Sequence, residues 1–455
     1  MYCYNRPSVA LQDYPTVRTA ADLAEAIERS IRQGSFAAGE PLPPIRQLAE
    51  QVGLSAGTVA SAYRVLNTRG LTASDRRRGT WVRELRKEDL APVRQAIPVP
   101  AGVVDCSSGN PDPRLLPDPV PAVAGLAYEP AMYGSPVAHP GFIAEARRRL
   151  KRDGVPAEHA TVTFGALDGI ARMLASNLAP GDRVALEDPG WAALIDLVER
   201  LGYTAVPTAV DPEGPTTDGV WQSLAAGAKA IVVTARAQNP TGAAISKHRA
   251  GELREVFSRY PGRLVIEDDH ACGLAEVALH PVVGPTGRYG FLRSLAKGYG
   301  PDLRLAVAAG DATTVARLES SVIAGAGWVS HLVLQLALAL WRDPAVSSQL
   351  AAASSLYRQR RAALCAELAA RGIDVAAPTG LNVWIPVGDE ATAVSALLAR
   401  GWLVAPGGRF RMVSGPAIRV TTAALDTDRA AECATAIAEA SAAAASKGRH
   451  SGSGG

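Results

Sequence analysis

Lys297 sits in the stretch RSLAKGYGPDLRLA, Arg293 to Ala306, among small and apolar residues. Ser294 lies three positions before it and Arg304 seven after. Apolar surroundings favour the neutral amine, and a neutral amine can attack an aldehyde to form a Schiff base. A phosphorylated pyridine aldehyde bound this way makes three further demands. Its phosphate needs cations and donors, its ring nitrogen a carboxylate, and its ring a flat neighbour. The chain has a candidate for each. In TVTFGALDGIARML, Gly165 allows a tight turn into a helix whose free N–H groups near Ala166 and Leu167 can face an anion. Ser294 and Arg304 can complete that cradle. VIEDDH offers carboxylates at the end of a buried strand, where parallel sheets place ligand groups. In QNPTG, Asn239 can donate an amide hydrogen to a ring hydroxyl, and in EDPGW, Trp191 can cover a ring face. The group that fits all these demands is pyridoxal 5'-phosphate.

Taken singly, each residue has an ordinary structural use. A lone lysine in apolar text commonly snorkels from a helix. An aspartate caps helices, a tryptophan fills cores, and Asn before Pro starts turns. The weight rests on the ordered set. Among other catalytic patterns, no GxSxG elbow, Walker loop or GxGxxG before a helix is present. The seven histidines have no metal spacing.

The elements that must position these residues can be read around them. The 455 residues exceed one compact core, so at least two domains are expected. DRVALED, AKAIVVTA and GRLVIEDD are short strands alternating with helical text, the pattern of a mostly parallel sheet covered by helices. Residues 1–15 read as a flexible arm, 84–104 as a linker rich in proline and charge, 105–440 as the body, and 441–455 as a flexible tail. Five scattered cysteines make no CxxC pair, which fits a reducing cytosol. The longest apolar run, HLVLQLALALW, is too short to span a bilayer, and no secretory signal opens the chain.

Residues 16–83 have a different character. They hold ten Arg against six Asp or Glu, a net of +4, which leaves −1 for the rest of a chain whose total is +3. A basic head on a near-neutral body predicts that only the head meets polyanions. ADLAEAIERSIRQG, PPIRQLAEQVG and LSAGTVASAYRVLNTRG are three helices, each closed by glycine, with Ser55 as a cap for the third. LTASDRRRGTWV follows as a two-stranded basic wing. This winged helix-turn-helix pattern suits double-stranded DNA, the third helix in the major groove and the wing on phosphate or the minor groove.

The head resembles the GntR family along GEPLPPIRQLAEQVGLSAGTVASAYRVLNTRGLTASDRRRGTWV. The resemblance implies that Arg46, Ser55, Thr58, Arg64, Arg76, Arg77, Arg78 and Gly79 lie at the DNA face. Positions often held by Arg or Asn at the front of the third helix are Ala56, Gly57 and Ala60 here, so bidentate base contacts from that turn are lost. The body resembles fold-type I, aspartate-aminotransferase-like enzymes, an α/β domain with a smaller C-terminal α+β subdomain. The combination resembles the MocR family of transcription regulators. That resemblance implies that Lys297 carries the cofactor, Asp268 meets its ring nitrogen, and Ser294, Arg304 and the amides after Gly165 hold its phosphate. It places Tyr133 to reach the phosphate of a partner subunit in a homodimer, and Arg419, in AIRVTTA, to grip the carboxylate of an amine or amino-acid effector. The family usually has tyrosine two residues after the pyridinium aspartate; His270 stands there instead. The implied function is cofactor-dependent transcription regulation. The alternative is an active aminotransferase with an accessory DNA-binding head.

Overall fold

The computed structural model of the protein describes residues 17–32, 35–37, 39–68, 71–75, 79–82, 99–127, 130–284 and 287–450. The expected arm 1–15, Gly34, Gly70, the wing arginines Arg76, Arg77 and Arg78, and the linker up to residue 98 lie outside the described residues. The chain divides into two units, Met1–Gln95 and Ala96–Gly455.

In the first unit, α1 (Ala20–Arg32), α2 (Ile45–Val52) and α3 (Ala56–Thr68) precede an antiparallel pair, β1 (Thr72–Asp75) and β2 (Gly79–Val82). Val59, Ala62, Tyr63 and Leu66 recur at helical spacing, so α3 turns one face onto Leu23, Ile27 and Leu48. Pro44 ends the extended segment before α2, and Gly53 closes α2 in the left-handed conformation, donating to the Ala49 carbonyl. Ser55 Oγ accepts the Thr58 N–H at 3.1 Å, the cap read from the sequence. Residues 40–42 add a short third strand to the wing, through Leu42 N to Thr80 O and Val82 N to Glu40 O, both 2.8 Å.

The second unit contains β3 (Val104–Cys106), β4 (His159–Thr163), β5 (Arg183–Asp188), β6 (Thr204–Asp211), β7 (Gly214–Pro215), β8 (Ala230–Thr234), β9 (Leu264–Asp269), β10 (Arg288–Ser294), β11 (Ala306–Gly310), β12 (Asn382–Pro386), β13 (Trp402–Pro406) and β14 (Ala417–Thr421). Eight strands form one sheet, in the order β4-β11-β10-β9-β8-β5-β6-β7. β10, β9, β8, β5 and β6 run parallel, and β11 runs against both its neighbours. β8 and β9 are buried at every residue, which explains why their text is apolar without alternation. A second sheet, β12-β14-β13-β3, packs Val383, Ile418 and Trp402 against Leu364, Leu368 and Ile437 as the core of the smaller subdomain. The expected domain limits shift at both ends. β3 starts at Val104, before the expected 105, and the last helix, Ala430–His450, continues through most of the expected tail. Its alanine-rich run has high helix propensity, which outweighs the small and polar residues that read as tail.

Buried charges pin the central strands together. Asp269 takes a bidentate contact from Arg236 (2.8 and 2.9 Å to Nη2) and a 3.0 Å bond from Arg293 Nε, while Arg293 Nη1 reaches Asp153 at 2.6 Å. Two positions earlier, Glu267 Oε2 accepts the N–H groups of Val282 and Val283 at 2.9 and 3.1 Å. Its Oε1 has no partner among the described residues. Burial pushes this carboxyl from 4.5 up to about 8, with Asp269 adding to the shift and Arg254 opposing it. A folded-state value above the unfolded one means that the stabilising proton is fully present below pH 4.5 and lost as pH rises through 8. Urea unfolding of the full chain should therefore show stability falling across this window, and Glu267→Gln should flatten the fall. An unchanged slope in the variant would show that Glu267 does not hold this proton.

Candidate functional site

The carboxyl edge of the parallel strands gathers the residues singled out by their chemistry. Thr163 at the end of β4 is in register with Ala306, and Ala306 with Ser294 at the end of β10. Leu292 is opposite Asp268 on β9, and Asp268 opposite Thr234 on β8. The turns leaving this edge carry Gly165, Trp191, Asn239, His270 and Lys297. Parallel strands with short exits converge their side chains here, where α/β sheets bind ligands.

Lys297 lies in the one-turn helix Ala296–Tyr299 immediately after β10. Its Nζ donates to the Gly109 carbonyl at 2.5 Å. Gly109 has φ +68°, and a Cβ there would stand 3.0 Å from Arg419 Nη2. The position thus requires glycine twice over, for its backbone angle and for its close approach. The Gly109 N–H donates to Thr421 Oγ1 at 3.1 Å, so the loop after β3 is fastened to β14 beside the lysine.

Arg419 is 4% exposed on β14. Its Nη1 donates to Asn239 Oδ1 at 3.0 Å, its Nη2 to the Ser107 carbonyl, and its guanidinium carbon lies 4.6 Å from the centre of the Phe410 ring. Nε has no partner among the described residues. Burial, with Arg409 nearby, lowers this guanidinium to about 10, which leaves it charged at neutral pH. Because Arg419 occupies the amide oxygen of Asn239, the amide nitrogen is left as the donor, the role expected for it.

Asp268 is 3% exposed. Its Oδ2 lies 3.6 Å from His270 Nδ1, an ion-pair distance too long for a hydrogen bond. Its Oδ1 is buried and has no partner among the described residues. An unsatisfied buried carboxylate oxygen is costly, and a protonated ring nitrogen would supply the missing donor. The residues present therefore fit a pyridinium at this point.

The residues expected at the phosphate lie at two strand exits. Gly165 (φ +99°) precedes the helix Ala166–Ala175, whose first N–H groups, those of Ala166 and Leu167, have no intrahelical acceptor. Arg304, in the left-handed region at φ 45°, donates through Nη2 to the Phe164 carbonyl at 3.2 Å. A Cβ on Gly165 would come within 3.2 Å of the same nitrogen, so glycine keeps the guanidinium beside the helix start. Ser294 Oγ accepts the Ala296 N–H at 3.2 Å, which aims the turn that carries Lys297.

Trp191 precedes the helix Ala192–Arg200 and packs against the sheet's core. Tyr133 is 94% exposed and meets Trp328 edge-on at 5.6 Å, so within one chain it is apart from the cradle. In the head, Arg46 and Arg64 are exposed, with Arg64 Nη2 donating to Ser61 Oγ at 3.0 Å. Thr58 shares its hydroxyl with Ser55 at 2.8 Å, and Gly79 opens β2 with φ +77°. Ala56, Gly57 and Arg64 are exposed and Ala60 partly so, as expected for an uncovered α3 front.

Sequence reasoning missed the supports of the site. Gly109 and Ser107 contribute carbonyls from SSGN, a stretch without a motif. Glu187 and Asp188 lie inside EDPGW, where Trp191 drew attention, and both are buried. Their signal was an acidic pair at the end of an apolar strand. Burial pushes Glu187 up to about 7, opposed by hydrogen bonds from Thr234 and Gln238.

Comparisons with known proteins give the family and the fold. Residues 103–437 match the family of aminotransferases class I and II, and residues 19–82 match the gntR family of bacterial regulatory proteins. The chain is 38% identical over 415 residues to the vitamin B6 salvage pathway transcriptional repressor PtsJ of Salmonella typhimurium, covering 90% of this chain and 95% of that protein. It is 28% identical over 283 residues to the pyridoxine biosynthesis transcriptional regulator PdxR of Corynebacterium glutamicum, 60% of each chain. Among solved structures, a multiple substrate aminotransferase from Thermococcus profundus superposes with a TM-score of 0.70 at 18% identity, over 80% of this chain and all of that one. The α-aminoadipate aminotransferase LysN of Thermus thermophilus, complexed with N-(5'-phosphopyridoxyl)-L-leucine, gives 0.66 at 21% identity, over 76% and 94%. A gntR-type head joined to a class I and II aminotransferase body is the composition of the MocR-type transcription regulators, and the chain belongs to that family.

Proposed function

We propose that the protein is a cytosolic transcription regulator that holds pyridoxal 5'-phosphate on Lys297 and couples occupancy of that site to DNA binding. The observation that carries the cofactor reading is the buried, unpartnered Oδ1 of Asp268 on the same strand edge as the Lys297 amine. The bound group would supply an aldehyde for the amine and a pyridinium that draws electrons from whatever is attached to it. The chain's own residues do the rest. Asp268 accepts the ring N–H, and Asn239 donates to the ring hydroxyl. Arg304, Ser294 and the amides of Ala166 and Leu167 hold the phosphate. Trp191 shields the ring. Arg419 presents a charged guanidinium to a carboxylate, which favours an amino acid among amine effectors. Vitamin B6 itself is the other effector this site accommodates, consistent with the names of the relatives PtsJ and PdxR.

The regulatory step follows from linkage. An effector shifts DNA affinity only if it binds two arrangements of the protein unequally. In a homodimer, the aromatic ring of Tyr133 can cross to the partner's phosphate, and its 94% exposure supports that use. Arg46, Ser55, Thr58, Arg64, Gly79 and the arginines at 76–78 serve as the DNA face. With Ala56, Gly57 and Ala60 at the front of α3, specificity rests more on the wing and on DNA shape. Regulation is favoured over multiple-turnover amino transfer by the DNA-binding head and by the relatives.

Two outcomes are expected. Addition of pyridoxal 5'-phosphate to the pure protein should give a visible absorption band that Lys297→Ala removes, and borohydride trapping should place the pyridoxyl group on the peptide containing position 297. A band that survives in the variant, or an adduct elsewhere, would reject Lys297. Asp268→Asn should weaken cofactor binding by roughly tenfold or more, because it loses a charge-assisted hydrogen bond. Equal affinity in a fluorescence titration would remove Asp268 from the site. Promoter footprints on the DNA upstream of the protein's own gene, taken with and without cofactor, test the coupling.

A further inference from the structure

The supports of Arg419 converge on two consecutive residues at the end of β5. Asp188 is 5% exposed and accepts four hydrogen bonds from one short segment. Its Oδ1 takes the Met412 N–H at 2.8 Å and the Ser414 hydroxyl at 3.0 Å, and its Oδ2 takes the N–H groups of Val413 and Ser414 at 2.9 and 2.8 Å. Three successive amides thus close around one carboxylate. The Gly190 N–H adds a bond to the Phe410 carbonyl at 2.7 Å. This lip, residues 410–414, carries the Phe410 ring that faces the Arg419 guanidinium.

Glu187 holds the other support. It accepts the Thr234 N–H at 2.8 Å, the Thr234 hydroxyl at 2.7 Å and Gln238 Nε2 at 3.1 Å. Gln238 Oε1 in turn accepts the Thr241 N–H at 3.0 Å and the Thr241 hydroxyl at 2.6 Å. Gln238 therefore shapes the turn containing Asn239, the residue that meets Arg419 Nη1. Successive strand residues point to opposite faces, so one acidic pair can reach both structures.

We infer that Glu187 and Asp188 are positioning residues for Arg419, Glu187 acting through Gln238 and Asn239 and Asp188 through the 410–414 lip and Phe410. The inference rests on the proposed reading of Arg419 as the ligand-facing cation. Asp188 acts through the 410–414 lip, which holds no residue assigned to the cofactor, so its loss bears on ligand affinity far more than on cofactor capture. Glu187 acts through the turn of Asn239, which serves the ring hydroxyl as well as Arg419, so its loss bears on both. The lip is also tied to the smaller subdomain by Glu390, which accepts from Gly408 N and Arg411 Nε, each at 2.7 Å, and from Ala417 N at 3.1 Å. Loss of the Asp188 carboxylate therefore frees the lip from β5 and leaves its other tether in place.

The test uses the full chain loaded with pyridoxal 5'-phosphate, titrated with maleate and with L-glutamate as carboxylate probes and followed by calorimetry and the visible spectrum. Asp188→Asn and Glu187→Gln each set an amide N–H against donors, and each should weaken probe binding roughly ten- to a hundredfold. Cofactor affinity should fall much less in Asp188→Asn, and should fall with probe affinity in Glu187→Gln because Asn239 serves both. Hydrogen exchange should speed up at amides 412–414 in Asp188→Asn and at 241–243 in Glu187→Gln. Should either variant fail to fold, Ser414→Ala removes one bond to Asp188 and Thr241→Val removes the bonds of its hydroxyl to Gln238 Oε1 and from the Ala243 N–H, and each should give a smaller loss of the same kind. Probe binding lost in Arg419→Gln but retained in all four variants overturns the positioning role and leaves the reading of Arg419 intact. Probe and cofactor affinity falling equally in Asp188→Asn also overturns it, because that acid would then be general scaffold. Wild-type affinity in Arg419→Gln, or a wild type that takes up neither probe, overturns the reading of Arg419 and the inference with it.

Discussion

A carboxylate buried at the end of a strand must find donors, and this requirement organises the body of the protein. Four acids at the edge of the parallel sheet meet it in different ways. Asp269 is neutralised by Arg236 and Arg293. Asp188 is wrapped by amides of a distant segment, and Glu187 by Thr234 and Gln238. Asp268 keeps an oxygen without a partner among the described residues, as does Glu267 one position earlier on β9. Three of these carboxylates are satisfied by the fold and tie it together. The fourth is the carboxylate proposed to meet a ligand's donor.

The cost of that arrangement is offset by rigidity around it. The Asp269 network locks β9 to β10, and these strands carry Asp268 on one side and the exit to Lys297 on the other. The amine donates to the carbonyl of Gly109, a neutral acceptor that a better partner can displace. Two guanidinium groups flank this edge: Arg304 at the helix start and Arg419 against the Phe410 ring. The head follows a separate logic. Its small core is apolar, and α3 leaves Ala56 and Gly57 at its front and Arg64 further along exposed.

Much of this was legible in the chain. Three helices and a wing were read within residues 16–83, with the stop at Gly53 and the Ser55 cap. The buried strands β5, β8 and β9 were visible as short apolar runs, and Gly165 as a turn into a helix. The tail was misjudged up to His450, because small residues serve a packed helix as well as a loose end. The supports of the site were not legible. Gly109 is distant in sequence from Lys297, and Asp188 from Ser414. Such contacts depend on how the smaller subdomain's sheet meets the larger one, and no local pattern encodes that.

The sequence by itself determined the two-part organisation and the strand–helix alternation, and it singled out the lysine and the side chains proposed for a phosphorylated pyridine. These follow from periodicity, caps and residue chemistry, which act over a few positions. Only the tertiary structure decided which carboxylate keeps a free oxygen and which are consumed. It also decided that Arg419 rests on Asn239, Ser107 and Phe410. The physical reason is that satisfaction of a buried polar group depends on every donor within about 3 Å, and those donors come from all parts of the chain.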